Sequence, residues 1–368
     1  MAKARETVLE LNLEALAHNY RYLRSKLRSE TKFLSVVKAF AYGSDAQIIA
    51  KKLQELGTDY FAVAYTNEGV ALREAGITKP ILVLHPQEVS FDAIIEHCLE
   101  PSIYAMHILD GFLRTAKKHG QNQYPVHLKF NTGLNRLGFK KEDIPQIATK
   151  LNGAKEIKAL SLFSHLAASE DHSEKEFTLK QIKLFHTIAE QLDELLHNKT
   201  FRHLLNTSGI INYPEAQYDM VRSGIALYGY GNEAEVDKAL KPVASLKTII
   251  AQIHHLGANE SVGYNRDFST DRPTVTATLP LGHADGIGRH YGHGKTFVGV
   301  HGKKAPIIGN VCMDMIMIDI TGIDCKEGDE VVIFGPELSA QEFAETAHTI
   351  TYELLTGISQ RVKRSVVS

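Results

Sequence analysis

Cysteine is scarce in this chain. There are three, Cys98, Cys312 and Cys325, an odd number with no CxxC spacing. That pattern argues against a disulfide framework and reads as a protein of a reducing compartment, so a cytoplasmic location is expected. Long apolar runs are missing too, and no segment approaches the length that spans a bilayer. The amino terminus carries Glu6, Glu10 and Glu14 without an apolar stretch, so no signal peptide is expected. Neither sign of charge dominates: 41 Lys+Arg against 43 Asp+Glu leave a net charge of −2. No basic block or stripe stands out, which argues against nucleic acid as a partner. Internal repeats and low-complexity tracts are absent. What is there, 368 residues that are 43% hydrophobic and 23% charged, suits one large or two medium domains with sizeable cores.

Strand-like and helix-like patterns alternate through the first two thirds. Strands are expected near 33–37, 60–65, 81–84, 102–104, 125–130, 158–164, 202–206 and 220–223. Between them, 45–57 reads as a helix with Asp45 as N-cap and Gly57 as its stop. Ile182, Phe185, Ala189, Leu192 and Leu196 recur at spacings of three and four, an amphipathic helix. Repeated alternation of this kind predicts a closed (β/α)8 TIM-type barrel over residues 1–240. After Pro242 the pattern changes to short Val/Ile/Thr runs such as Thr274–Leu279 and Glu330–Phe334, with no long helix between. Residues 241–368 are therefore expected to form a mainly antiparallel β domain, and Thr7–Leu13, also strand-like, is a candidate to join its sheet.

Active sites in such barrels lie at the carboxyl ends of the strands. There the chain carries Lys38, then Lys129, Asn131 and Arg136, then His165, then Asn206, Thr207 and Ser208, and last Arg222. Cations converge without a carboxylate, which predicts an anionic ligand. Gly224 and Ile225 follow the last strand, where backbone N–H groups commonly take a phosphate in this fold. A lysine at a buried strand end is held toward its neutral, nucleophilic amine. A phosphorylated carbonyl compound fits both features, and pyridoxal 5'-phosphate is the obvious candidate. Singly, each residue has a plainer reading: Lys38 as a solvated rim lysine, His165 as a core histidine, Asn206 as a helix N-cap.

Several segments together carry a resemblance. VVKAFAYG at 36–43, HLKFNTGLNRLGF at 127–139, VRSGIALYG at 221–229, PLGHADGIGR at 280–289 and GNVCMDMIMID at 309–319 resemble, in order and separation, the alanine racemase family. The likeness covers nearly the whole chain. It implies interconversion of L- and D-alanine by two bases on a pyridoxal phosphate external aldimine, supplying D-alanine for peptidoglycan. It implies that Lys38 forms the internal aldimine and is one base, and that Tyr264, contributed by the partner subunit of a homodimer, is the other. Tyr42, Asn206, Thr207, Gly224 and Ile225 would hold the phosphate. Arg222 would meet the ring nitrogen with His165 beside it. Arg136 and the backbone of Met313 would bind the substrate carboxylate, and Lys129 matches a lysine often carbamylated.

The chain departs from the family at His283, Asn310, Asn131 and Gln360, where tyrosine, arginine, aspartate and a phosphate-binding tyrosine are usual. Gln360 is expected to donate to the phosphate in place of that tyrosine. His283, Asp285, His290 and His293 have metal-ligand residue types, but their spacing fits no standard zinc motif, so no metal is expected. A racemase of serine or of broader specificity is the alternative. A barrel-type amino acid decarboxylase is disfavoured because its GlyGlyGly phosphate loop is missing. A non-enzymatic pyridoxal phosphate carrier would lack everything after Pro242.

Overall fold

The computed structural model describes residues 4–231 and 233–367. Eight parallel strands close into a barrel: Lys32–Val36, Tyr60–Val63, Ile81–Val83, Glu100–Ile103, Tyr124–Lys129, Ile157–Phe163, Phe201–His203 and Met220–Ser223. The second and third strands are buried along their whole length, as expected where helices cover a parallel sheet from outside. Helix Ala46–Glu55 starts where Asp45 accepts from the amides of Gln47 and Ile48, both at 3.0 Å, and it buries Ile49, Ala50 and Leu53. Helix Lys175–Leu195 buries Phe185, Ile188, Ala189 and Leu192.

The barrel interior is split in character. Leu34, Tyr60, Ala62, Leu82 and Met220 form an apolar cluster on one side. Ser102, His127, Ser161 and His203, all fully buried, occupy the other.

A nine-stranded sheet follows, in the order Gln252–Leu256, Thr274–Leu279, Ile316–Asp319, Lys303–Ile308, Phe297–Val300, Glu330–Phe334, Ala244–Ile249, Val8–Asn12, Lys363–Val367. Its pairings are antiparallel except that Val8–Asn12 runs parallel to Lys363–Val367. The amino-terminal strand thus belongs to the second sheet, next to Lys363–Val367 at its edge. A small hairpin, Ser261–Val262 with Phe268–Ser269, carries Tyr264 at its tip. Among the described residues no helix is long and apolar enough to cross a membrane.

Candidate active site

Lys38 leaves the first barrel strand into a turn of unusual hand. Ala39, Phe40, Ala41 and Tyr42 have φ of 51°, 53°, 54° and 55°, a left-handed turn that ends at Gly43 with φ 78°. The sequence pattern indicated only a break at Gly43. Left-handed backbone is disfavoured for residues with a side chain, so local propensity cannot announce it; tertiary contacts hold it. Glu68 Oε1 accepts from the Ala39 amide at 2.6 Å, while its Oε2 accepts from Ala64 and Tyr65 at 2.7 and 3.0 Å. Arg364, from the last strand of the second sheet, donates to the carbonyls of Gly43 at 2.8 Å and Ser44 at 3.1 Å. A Cβ on Gly43 would sit 1.9 Å from the Leu355 carbonyl oxygen, so only glycine lets helix Thr351–Gly357 pack here.

A cleft of about 390 Å³ opens at the carboxyl ends of the barrel strands. Lys38, Lys129, Arg136, His165 and Arg222 line it, with Tyr42, Asn206, Thr207, Ser208, Gly224 and Ile225. No carboxylate does. The electrostatics follow. Burial, then Arg136, lowers the Lys38 ammonium below its usual range, with Glu68 opposing. Lys129 is brought down to about 8 by burial, Arg136, Arg222 and Lys38. Burial and the same cations push His165 well below the ordinary imidazole range. Each cation makes its neighbours harder to charge, so the cleft favours an anion.

Arg222 is anchored in the barrel. Its Nη2 donates to the carbonyls of Ser164 and Leu204, 2.5 and 2.9 Å, and to His165 Nδ1 at 3.3 Å. Its Nη1 donates to the His203 carbonyl at 3.0 Å and to His203 Nδ1 at 2.8 Å. Burial lowers its pKa, yet a guanidinium stays protonated. Nε–H has no acceptor among the described residues and is the donor left for a ligand.

The phosphate side is built from small groups. Thr207 Oγ1 and Ser223 Oγ lie 3.0 Å apart. Asn206 caps helix Thr207–Asn212 by accepting from Gly209 at 2.9 Å and also accepts from Ser169 Oγ at 2.7 Å, so the plain N-cap reading of Asn206 holds while the residue still lines the cleft. The amides of Gly224 and Ile225 have no acceptor among the described residues. A Cβ on Gly224 would lie 2.1 Å from Tyr42 Oη, so the bare backbone and the phenol converge. Tyr42 is stacked on Tyr228, ring centroids 4.6 Å apart, and burial holds its hydroxyl protonated.

Three expected residues are placed elsewhere. Gln360, expected at the phosphate, is exposed and outside the cleft lining. The aromatic that lines the cleft from the second sheet's side is Tyr352, eight residues earlier on helix Thr351–Gly357, its ring 5.9 Å from that of Tyr42. Tyr264 and Met313 lie together in a separate open groove of about 570 Å³, 74% and 59% exposed. Besides Tyr352, the sequence reading missed His85, lowered to about 4 by burial, Lys129 and Lys38, and missed Glu68 behind the Lys38 turn. Leu84 and His85 directly follow the third strand, so their position at the strand end was a usable signal. Glu68 and Tyr352 gave none, because they reach the site from other elements.

Two of the departures, Asn131 and Asn310, have local explanations. Asn131 Oδ1 accepts from the amides of Gly133 and Asn135, 3.1 and 3.0 Å, work a neutral amide does as well as a carboxylate. Asn310 bridges the Arg289 guanidinium at 2.6 Å and the Tyr264 carbonyl at 3.4 Å. Asp285 is engaged by Arg361 at 2.6 and 3.0 Å, and His293 by Asp267 at 2.9 Å. Among the described residues no three metal-ligating side chains converge.

Comparison with known proteins agrees with this arrangement. Residues 11–232 match the family model "Alanine racemase, N-terminal domain" and residues 243–366 match "Alanine racemase, C-terminal domain". Over 372 residues the chain is 36% identical to alanine racemase 2 of Caldanaerobacter subterraneus subsp. tengcongensis, covering 98% of this chain and 94% of that one. The structure of alanine racemase from Clostridium difficile 630 superposes with a TM-score of 0.93 at 33% identity, covering 100% of this chain and 97% of the other. The Bartonella henselae alanine racemase with covalently bound pyridoxal phosphate does so with a TM-score of 0.90 at 28% identity, covering 99% and 100%. Barrel, second sheet, cationic cleft and full-length likeness place this chain in the alanine racemase family.

Proposed function

We propose that this racemase binds pyridoxal phosphate in the barrel cleft through Lys38 and moves the α-proton of alanine between Lys38 and Tyr264 of a second copy. One observation carries the reading. A lysine biased toward its free base shares a carboxylate-free cleft with Tyr42, Thr207 and the open amides of Gly224 and Ile225. The residues fit the group, and the Bartonella henselae relative binds it. Pyridoxal phosphate supplies a carbonyl for an amine to capture and a conjugated ring that spreads charge from Cα.

The chain's residues do the rest. Lys38, freed by burial and Arg136, takes or returns the proton on one face. Arg222 would offer Nε–H to the ring nitrogen and cannot release its proton, so it would leave that nitrogen an acceptor. His165 accepts from Arg222 at Nδ1 and stays neutral, adding no charge to the cleft. Arg136 takes the substrate carboxylate. Lys129, depressed to about 8, keeps an appreciable share of free amine near neutral pH, the form that carbon dioxide would carbamylate. A carbamate there would offset Arg136, Arg222 and Lys38.

Tyr264 and Met313 share an exposed groove of the second sheet, which supports the reading that a second copy in a homodimer supplies the second base and the Met313 backbone. A mixing experiment tests both halves of the reading. Lys38→Ala and Tyr264→Phe chains are each expected to fail to convert L-alanine to D-alanine, followed with D-amino acid oxidase. Mixed and reassembled in equal amounts, they should recover about a quarter of wild-type activity, because half the dimers hold one intact site of two. No D-alanine from wild type refutes the racemase reading. An active wild type with no recovery on mixing refutes the shared site.

A further inference from the structure

The polar side of the barrel interior holds groups the reaction does not use. Glu100, His127, Ser161 and His203 lie on four successive strands, and their hydrogen bonds join end to end. Glu100 Oε2 is 2.7 Å from His127 Nε2, and His127 Nδ1 is 2.5 Å from Ser161 Oγ. Ser161 Oγ is 3.0 Å from His203 Nε2, and His203 Nδ1 is 2.8 Å from Arg222 Nη1. His127, Ser161 and His203 are fully buried.

The two ends force one direction on the chain. A guanidinium only donates, so His203 Nδ1 accepts from Arg222. Burial beside Arg222 keeps His203 neutral, which puts its single proton on Nε2, donated to Ser161. The Ser161 hydroxyl has no third partner among the described residues, so its own proton goes to His127 Nδ1. The His127 proton then sits on Nε2 and faces Glu100. Tyr60, kept protonated by burial, donates to the same carboxylate. Reversing a single link would set two donors or two acceptors against each other in a dry interior.

We propose that Glu100 is a positioning residue for the cleft: through His127, Ser161 and His203 it anchors the Nη1 edge of Arg222 and keeps Nε–H aimed at the cofactor ring. This rests on the reading that Arg222 meets that ring. The wire also ends the buried guanidinium on a counter-charge at the opposite end of the barrel, which a local ion pair would have to place inside the cleft.

The test uses the full chain with cofactor bound. In protein labelled with 15N-histidine, His127 and His203 should each carry a proton on Nε2 and none on Nδ1. Ser161→Ala cuts the wire without touching the cleft and should shift both signals. It should lower kcat about tenfold while KM for L-alanine changes less than about twofold, because Arg136 is untouched. Glu100→Gln keeps one acceptor oxygen for His127 and removes the charge. It should lower kcat about threefold in the same pattern, and it carries the test if Ser161→Ala does not fold. A proton on Nδ1 of either histidine in wild type, or an unchanged kcat in the folded variants, overturns the proposal. If wild type shows neither cofactor absorbance nor racemisation, the assigned function fails, and the tautomers still decide the wire.

Discussion

Replacing Glu68 by glutamine should loosen the turn that presents Lys38. Four consecutive residues with side chains, Ala39 to Tyr42, hold left-handed backbone. At ~1–2 kcal/mol each, that strain totals ~4–8 kcal/mol, comparable with the whole stability of a domain. Glu68 opposes it with a carboxylate that accepts from three backbone amides. A glutamine oxygen can keep the bonds to Ala64 and Tyr65, but its NH2 then faces the Ala39 N–H, donor against donor. Loss of a charge-assisted bond with a partner left unpaired costs ~2–3 kcal/mol. For a chain of this size that corresponds to a fall in Tm of about 2–4 °C by calorimetry. Ala39→Gly supplies the opposite sign. Glycine adopts this backbone freely, so relief of strain should outweigh its added chain entropy by ~0.5–1 kcal/mol. The local effect is readable separately. Glu68 is the group that raises the Lys38 pKa, so Glu68→Gln should bring Lys38 to its reactive free amine at lower pH, followed by reductive methylation. An unchanged Tm and an unchanged methylation profile would show that the carboxylate neither holds the turn nor acts on Lys38.

Gly224→Ala should weaken pyridoxal phosphate binding about tenfold or more with little change in folding, measured by titration of cofactor absorbance, because its Cβ would displace the Tyr42 hydroxyl. Tyr352→Phe should lower cofactor affinity severalfold while Gln360→Ala leaves it unchanged in the same titration; the reverse ranking would restore the phosphate role to Gln360. Lys129 gives a pH signature. Its folded pKa, about 8, lies below the ordinary lysine value of 10.5, so the folded state carries a penalty in full below pH 8 that fades as pH rises toward 10.5. In carbon-dioxide-free buffer, Lys129→Met should therefore stabilise the protein by a few kcal/mol at pH 7, falling toward zero near pH 10, in urea titrations. A gain independent of pH would refute the assignment.

Much of the architecture was legible because parallel strands covered by helices read as short apolar runs between periodic segments. The expected strands 60–65 and 81–84 differ from the observed ones only at their carboxyl ends, and 220–223 coincides with Met220–Ser223. Lys38, Lys129, His165 and Arg222 were readable for a related reason: residues at or just past the carboxyl ends of barrel strands emerge on one face. His127 and Ser161 also carried a signal, since each precedes a cleft-lining residue, Lys129 or Phe163, by two positions and so points into the same interior. Gln360 lies outside the cleft lining although its segment fits the family, and the side chain that reaches the cleft, Tyr352, belongs to the helix before it. Glu68 was missed because its partners are main-chain amides of a turn whose hand no residue type announces.

The sequence alone determined the barrel, the second sheet, the family and the cations at the strand ends. These depend on periodicity and on which residues end each strand, both written locally along the chain. Only the tertiary structure decided the left-handed Lys38 turn, the place of Tyr352 and the wire from Arg222 to Glu100. It also showed Tyr264 and Met313 lying apart from the cleft. Each of those depends on groups distant in sequence meeting at hydrogen-bond or van der Waals range, and such distances are set by how the barrel closes and the sheet docks on it.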